Sequence, residues 1–529
     1  MRDAEASISS ATTGRFHRFV SDRWLVALVT VCIAARAIWW ISTPFVIEGD
    51  GVTYDDMLRK GESSLLHASG YVWCLRPLAW FADWFSLDVA RLVRFVVPLV
   101  AIGAVVALFV AMRNLVGPVI AFSVGVLLGS DTLLLAAACT PRPEALQSAL
   151  GTFAISIAIW MLERPTRAVS ARWGALLGAS LMLAFLVKFN AIALTPLLLV
   201  PFAARGRSLL AKLRTVSVAG LGAATVLFLF LSGFHRPATG TWTLNAGDGW
   251  YRMANLEWLG IEVLPTAGPA SSLCLALLDE MPPVVPSEQP FRRWKGPGPG
   301  WTDGEFEAFA SAHAKRSSPS APLNAVRDVR KAENVTSLYV NLGLARGEKL
   351  LRAVNRETIA NDPAAFASAA AKLIPSGLQT ERHYVPFMPI RGLEDEWIDA
   401  TDGVPLRRVR SILRLGNTDR PEYAAAIAGA SWRPGLIAAS HIGVLRHVPS
   451  WAWVGLILAG CVLGAVRAVR AGRADPCAMA SLLLVCAIAC LHLVSALTLS
   501  FRSKELILCL PWMVVAAAVA LWPGTVRAR

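Results

Sequence analysis

The chain has 529 residues, of which 55% are hydrophobic and 17% charged, and its formal net charge is +14. A soluble protein carries about 25% charged residues, so the composition excludes an ordinary soluble enzyme and points to a polytopic membrane protein. The basic excess is no nucleic-acid footprint: residues 236–446 hold 24 Lys and Arg against 22 Asp and Glu, leaving 27 against 15 in the apolar remainder, where positive charge sets orientation.

Residues 1–23 are polar and basic. The apolar run behind them shows no small-residue cleavage site, so it reads as a retained span and not as a signal peptide. Ten spans are predicted in chain order: Trp24–Phe45, Val89–Met112, Val116–Leu128, Leu146–Leu162, Trp173–Val187, Ala191–Ala203, Val216–Phe234, Trp451–Val466, Cys477–Leu499 and Leu506–Trp522. Several fall short of the ~20 residues that an α-helix needs to cross a bilayer. Basic clusters at Arg15/Arg18/Arg23, Arg113, Arg164/Arg167/Arg172, Arg205/Arg207/Lys212/Arg214, Arg467/Arg470/Arg473 and Arg527/Arg529 all fall on one side of a ten-span topology. That side is the cytoplasmic one, with both termini inside. The other face receives residues 46–88, 129–145, the turn at Lys188, the long stretch 235–450 and the turn at 500–505.

The long external stretch opens rich in Pro and Gly ("KGPGPGW", 295–301) and reads there as loop. Further on, residues 343–374 predict two helices broken at Asn361-Asp362-Pro363. Asp362 is the expected N-cap of the second, with Pro363 in its first turn. Of the nine cysteines only Cys274 lies in this segment, so neither a disulfide framework nor metal-type spacing is available. Asn334-Val335-Thr336 matches a glycosylation sequon.

Four polar features land on the external face. In "FVIEGDGVTYDDML", Glu48, Asp50, Asp55 and Asp56 gather before the first basic residue, Arg59. Asp50 and Tyr54 form D-G-x-x-Y, and His67 opens the aromatic segment "HASGYVWCLRPLAWF", which suits a membrane interface. A carboxylate at such a surface can take the proton of a hydroxyl as it becomes a nucleophile; the plainer reading is a solvated acidic loop. In "SDTLLLAAACTPRPEAL", Asp131, Arg142 and Glu144 interrupt an apolar run, where ionisable groups pair or serve function. Glu144 suits the first turn of a helix, and the plainer reading is a surface Arg142–Glu144 pair. Lys188 divides two short apolar halves, either snorkelling to an interface or facing a lipid phosphate. Arg502 and Lys504 sit on the side that disfavours positive charge, which suggests an anionic ligand. Arg36 lies inside the first span and is expected to pair with a neighbouring helix.

These motifs resemble the polyprenyl- and dolichyl-phosphate-sugar transferases of the GT-C class, the superfamily of the protein O-mannosyltransferases and the lipid A aminoarabinose transferase. Their first external loop carries D-E-x-x-Y and then H-P-P-x-Y; here Asp50-Gly51-x-x-Tyr54 and His67-Ala68-Ser69-Gly70-Tyr71 stand in those places. "TPRPEAL" resembles the entry to the family's fourth helix, and residues 178–201 resemble its glycine–lysine–proline pattern with Lys188 as the lysine. The likeness covers roughly residues 24–234. It implies an all-α GT-C-like bundle of about ten transmembrane helices, with a large, mostly helical extracytoplasmic domain inserted before the last three spans. The units are then 1–23 (cytoplasmic), 24–234 (transmembrane module), 235–450 (external domain) and 451–529 (C-terminal helices). It further implies an enzyme of a bacterial plasma membrane that moves a sugar from a polyprenyl-phosphate donor to a glycan, lipid or protein hydroxyl, with inversion. Asp50 would be the general base and Glu48 a second carboxylate. Lys188, Arg142 and Arg502 would bind the donor phosphate, with Tyr54, His67, Asp131 and Glu144 in support. Gly51 replaces the second acid of D-E, so no metal is required, although a divalent cation is compatible. A flippase of lipid-linked saccharides and a non-catalytic scaffold of envelope glycan assembly remain open alternatives.

Overall fold

A computed structural model describes residues 22–42, 50–61, 63, 68–131, 134–135, 138, 142–163, 165–204, 207–239, 242, 244, 249, 252–253, 256, 260–281, 301–315, 332–377 and 476–497, with scattered helical positions at 455–470 and 512–519. These residues are overwhelmingly helical, and none of them is in a strand. The predicted spans Trp451–Val466 and Leu506–Trp522 lie largely outside them.

The N-terminal half is a bundle whose elements alternate in direction, as side-chain contacts at both ends record. Helix α1 (Arg23–Ser42) is followed by two shorter helices, α2 (Asp50–Lys60) and α3 (Gly70–Trp84), and then by α4 (Val89–Val116), α5 (Pro118–Ser130) and α6 (Pro143–Glu163). Arg113 at the end of α4 pairs with Asp22 before α1, and Arg94 near its start donates to the Trp40 carbonyl at 3.3 Å, so α1 and α4 are antiparallel. Gly125 and Gly129 of α5 pack on Leu28 and Cys32 in rising order, so α5 runs with α1. Asn114 donates to Glu163 at 2.8 Å, which brings the ends of α4 and α6 together. Helix α7 (Ala171–Val187) returns against α6, with Trp173 and Trp160 5.7 Å apart at one end and Lys188 over Gln147 at the other.

Helix α8 (Leu209–Phe230) ends in a π-helical turn, Leu231–His235, and one further α-turn to Thr239. It lies parallel to α7: Gly174 abuts Thr215, and Gly178 abuts Ala219, close enough that a side chain at either glycine would overlap the opposite backbone. Two parallel neighbours require the chain between them to return the full length of the bundle. The segment Phe189–Ala203 does so as a 3-10 helix. At ~2.0 Å per residue its fifteen residues reach about 30 Å, whereas the α-form would reach about 22 Å. The 3-10 form thus gives the short Ala191–Ala203 stretch of the sequence reading a length close to the ~30 Å of a hydrocarbon core.

Among the described residues, three helices are long and apolar enough to cross a membrane, Val89–Val116, Pro143–Glu163 and Leu209–Ala238. Helix α6 is the axis of the bundle, with 83% of its most apolar window buried. Its internal hydroxyls are satisfied by the preceding turn, Thr152 to the Ser148 carbonyl and Ser156 to the Thr152 carbonyl. The outer surface carries exposed Ile33, Leu99, Leu221 and Phe228, as a lipid-facing wall requires.

Described residues between 249 and 377 build a second, separate core from Met253, Leu275, Leu278, Leu338, Tyr339, Leu351 and Val354. Its helices are α9 (Pro269–Glu280), α10 (Asp303–Lys315), α11 (Ala332–Leu342), α12 (Leu344–Asn361) and α13 (Pro363–Gly377). The Glu357 carboxylate accepts from the Ala270 and Ser271 amides at 2.9 and 2.7 Å, satisfying orphan donors at the start of α9. Asp362 caps α13 through Ala365 N at 2.8 Å, as the sequence predicts. The sequon is corrected: Asn334 is buried inside α11, out of reach of a glycan. Helix α14 (Pro476–Leu497) packs on the 3-10 segment, on α6 and on α13.

Candidate active site

The polar residues of the bundle collect at one end, opposite the end marked by Asp22, Arg113 and Arg167. Lys188 sits in the break between α7 and the 3-10 segment, with φ −159° and ψ 125°. A break inside an apolar hairpin exposes backbone groups that must find partners. Here the Lys188 carbonyl accepts from Gln147 Nε2 at 2.8 Å and from the Ala191 amide at 3.1 Å. The ammonium meets Glu144 Oε1 at 3.3 Å. Glu144 occupies the first turn of α6 and is 3% exposed, where the helix dipole favours a carboxylate. Gln147 follows one turn later on the same face. The axial helix thus grips the Lys188 loop twice.

Asp131 ends α5 and accepts from the Leu134 amide at 2.9 Å. Arg142 immediately precedes α6. Both are buried, as is Glu144, so this cluster does not stand at the surface as the plainer sequence reading has it, and Glu144 is engaged by Lys188. Among these four residues two acids, Asp131 and Glu144, accompany two bases, Arg142 and Lys188, and buried ions are tolerated when paired. Arg36 donates to the Gly129 carbonyl at 2.8 Å. It lines a cavity of about 30 Å³ with Ser148 and Thr152 beneath the site, room for roughly two waters.

Helices α2 and α3 pack over this end. Helix α2 opens at Asp50, and its buried face carries Tyr54, Asp55 and Leu58. Arg59 bridges Asp55, at 3.0 Å, and Asp88, the N-cap of α4, which fixes α2 to the bundle. Tyr54 meets Tyr71 edge to face at 5.2 Å. Tyr71 is fully buried and its hydroxyl has no hydrogen-bond partner among the described residues. Burial first, then the carboxylates of Glu144 and Asp55, push its phenol well above the usual range, so it stays a neutral donor. Gly70 places Tyr71 there: its α-carbon lies so close to the Leu186 carbonyl that no side chain fits. The His67–Tyr71 motif and the lysine motif are therefore locked together at Gly70 and Leu186.

The structure brings Tyr54, Asp131, Arg142, Glu144 and Lys188 to one end. Asp50 is at the first position of α2, and its side chain lies outside the described residues, as do Glu48, His67 and Arg502. Sequence reasoning meets Asp55 and Tyr71 only as members of an acidic cluster and an aromatic motif, and it misses Gln147 and His235. Gln147 was findable, three residues after Glu144 on a helix. His235, in the π-turn after α8, holds Ser63 of the first loop at 2.8 Å, a contact 172 residues apart that no local pattern signals. Among the described residues no three His, Cys, Asp or Glu side chains are grouped as for a metal.

No protein-family model and no curated protein matches the chain. Two solved structures of an oligosaccharyltransferase from Archaeoglobus fulgidus are similar to it. The first, AglB in complex with an inhibitory peptide and a dolichol-phosphate, is 12% identical with a TM-score of 0.42, over 96% of this chain and 50% of that one. The second, an apo form, is 10% identical with a TM-score of 0.37, over 95% and 50%. The chain spans about half the length of these structures.

Proposed function

We propose that this protein is an integral-membrane glycosyltransferase of GT-C type, taking a sugar from a polyprenyl-phosphate donor on the extracytoplasmic face. The observation that carries the reading is Lys188, held in a helix break by Glu144 and Gln147, at the end of the bundle where α2 begins with Asp50. The ammonium has three donors, so one lysine can bridge Glu144 and a phosphate. Arg142 adds a second cation. In the reaction the acceptor oxygen bonds to the anomeric carbon as the carbon–oxygen bond to phosphate breaks, and configuration inverts. The acceptor proton passes to Asp50. The electron pair leaves with the lipid phosphate, whose growing charge Lys188 and Arg142 stabilise. No nucleotide is needed, since the sugar arrives activated on its lipid.

The test uses purified protein in nanodiscs with polyprenyl-phosphate-linked pentose, hexose and amino-sugar donors, identified by mass spectrometry of the lipids that accumulate on gene deletion. Asp50→Asn is expected to bind donor normally and to lose turnover by ~10²–10⁴-fold. Lys188→Ala is expected to lose donor binding. Unchanged turnover in Asp50→Asn refutes the assignment.

A further inference from the structure

The external domain contains a groove that the transferase reading does not use. It runs between residues 260–264 and the junction of α12 with α13, and encloses about 380 Å³, within the range of small-molecule sites. One wall starts at Gly260, whose φ of +70° turns the chain, and continues through Glu262 and Leu264. The other is the interruption at Asp362, with Thr358, Asn361 and Ser368 beside it.

Thr358 distinguishes this groove from a casual surface dent. Buried or not, the helical threonines Thr30, Thr152, Thr215 and Thr225 each donate to the carbonyl four residues before. Thr358 does not. It is 2% exposed and lines the groove, and its hydroxyl has no partner among the described residues. A buried hydroxyl left in that state costs free energy that an incoming polar atom recovers. Around it stand two carboxylates, Glu262 and Asp362. The latter commits Oδ1 to the Ala365 amide, leaving Oδ2 as an acceptor. Asn361 both donates and accepts. Ile261, Leu264, Ala365 and Ala369 supply apolar contact. Among the described residues the lining has two acids and no Lys or Arg, which selects against phosphates, sulfates and uronic acids.

We infer that this groove binds a neutral or amino sugar unit of a glycan, its hydroxyls donating to Glu262 and Asp362 and one of them meeting Thr358. The ring's C–H face lies on Leu264 and the alanines. Helix α13, which carries Ser368, packs on α14, and α14 packs on the 3-10 segment that follows Lys188, so a glycan held here is anchored to the same bundle. The inference stands apart from the transferase reading, because its test uses no lipid-linked donor.

The experiment applies labelled full-length protein, in a detergent without a sugar headgroup, to an array of neutral, amino and acidic glycans. Retention of neutral or amino glycans is expected. Thr358→Val, which keeps the shape and removes the stranded hydroxyl, should weaken the best hit at least fivefold while thermal stability holds or rises. Glu262→Gln should weaken it similarly. Retention of no glycan, retention of acidic glycans alone, or wild-type affinity in both variants overturns the inference.

Discussion

Replacing Gly70 by Ala tests the join between the first external loop and the lysine loop. A β-carbon there would stand 2.6 Å from Leu186 Cβ and nearer still to the Leu186 carbonyl, where carbon atoms prefer about 3.5–4.0 Å. One side must retreat by roughly 1 Å. The backbone of α7 is held by the close glycine packing on α8, so α3 is expected to be the side that moves, taking Tyr71 with it. Overpacking of this size costs about 1–3 kcal/mol, and a 1 Å misplacement near reacting groups costs up to ~10²-fold in rate. Gly103→Ala is the control: in α4 its β-carbon would meet Phe153 at 3.7 Å, ordinary contact, and Ala is the better helix former by about 0.5–1 kcal/mol. Thermal unfolding in nanodiscs and donor turnover are measured on both. Gly70→Ala should lose stability and turnover, whereas Gly103→Ala should lose neither. If the two variants behave alike, Gly70 does not carry the join.

Two further outcomes follow from charge. Glu144→Gln removes the carboxylate that faces the Lys188 ammonium and should destabilise by about 3–5 kcal/mol. Adding Lys188→Met should recover part of that, so a double-mutant cycle in thermal unfolding should give a coupling of about 1 kcal/mol or more; strict additivity would refute the pairing. In the external domain, Glu305 and Thr302 form a capping box at the start of α10. Hydrogen bonds from the Thr302 amide and hydroxyl hold the Glu305 carboxyl below its usual range. Its contribution to the start of α10 is therefore full above the ordinary carboxylate range and lost as pH falls through the depressed value. Carboxyl NMR titration should find Glu305 below a model glutamate, and Thr302→Ala should return it to the ordinary range.

The legible parts of the sequence are those where one residue decides one local event. The alternation of apolar runs with basic clusters foresees α4–α7 to within a turn or so, while α8 starts two turns before the predicted Val216. Asp362-Pro363 marks a helix start because a short acid and a ring-locked φ suit that position. Lys188 reads as a break because an ammonium is costly inside an apolar run. Illegible are the features set by neighbours distant in sequence. Glu144 and Arg142 are two residues apart and read as partners, yet Glu144 turns toward Lys188, which α7 delivers from 44 residues away. Tyr71 reads as an interfacial aromatic; only the approach of α3 to Leu186 buries it. The Thr302–Glu305 capping box was in plain view, hidden by the Pro- and Gly-rich run just before it.

Choosing 3-10 geometry for Phe189–Ala203 leaves that segment drawn out, with no slack. Pro196 and Pro201 withhold two amides that an α-helix would use, so the extended form is held by covalent structure as well as by its neighbours. Were it to relax to the α-form it would shorten by about 7 Å, and one of its anchors would have to give: Lys188 at one end of the bundle, or the tie from Lys212 to the Phe202 carbonyl at the opposite one. The fold thus contains a tether of fixed length that sets how deep the lysine sits in the bilayer, and the spacing of its two prolines is as much a part of the site as the charges it carries.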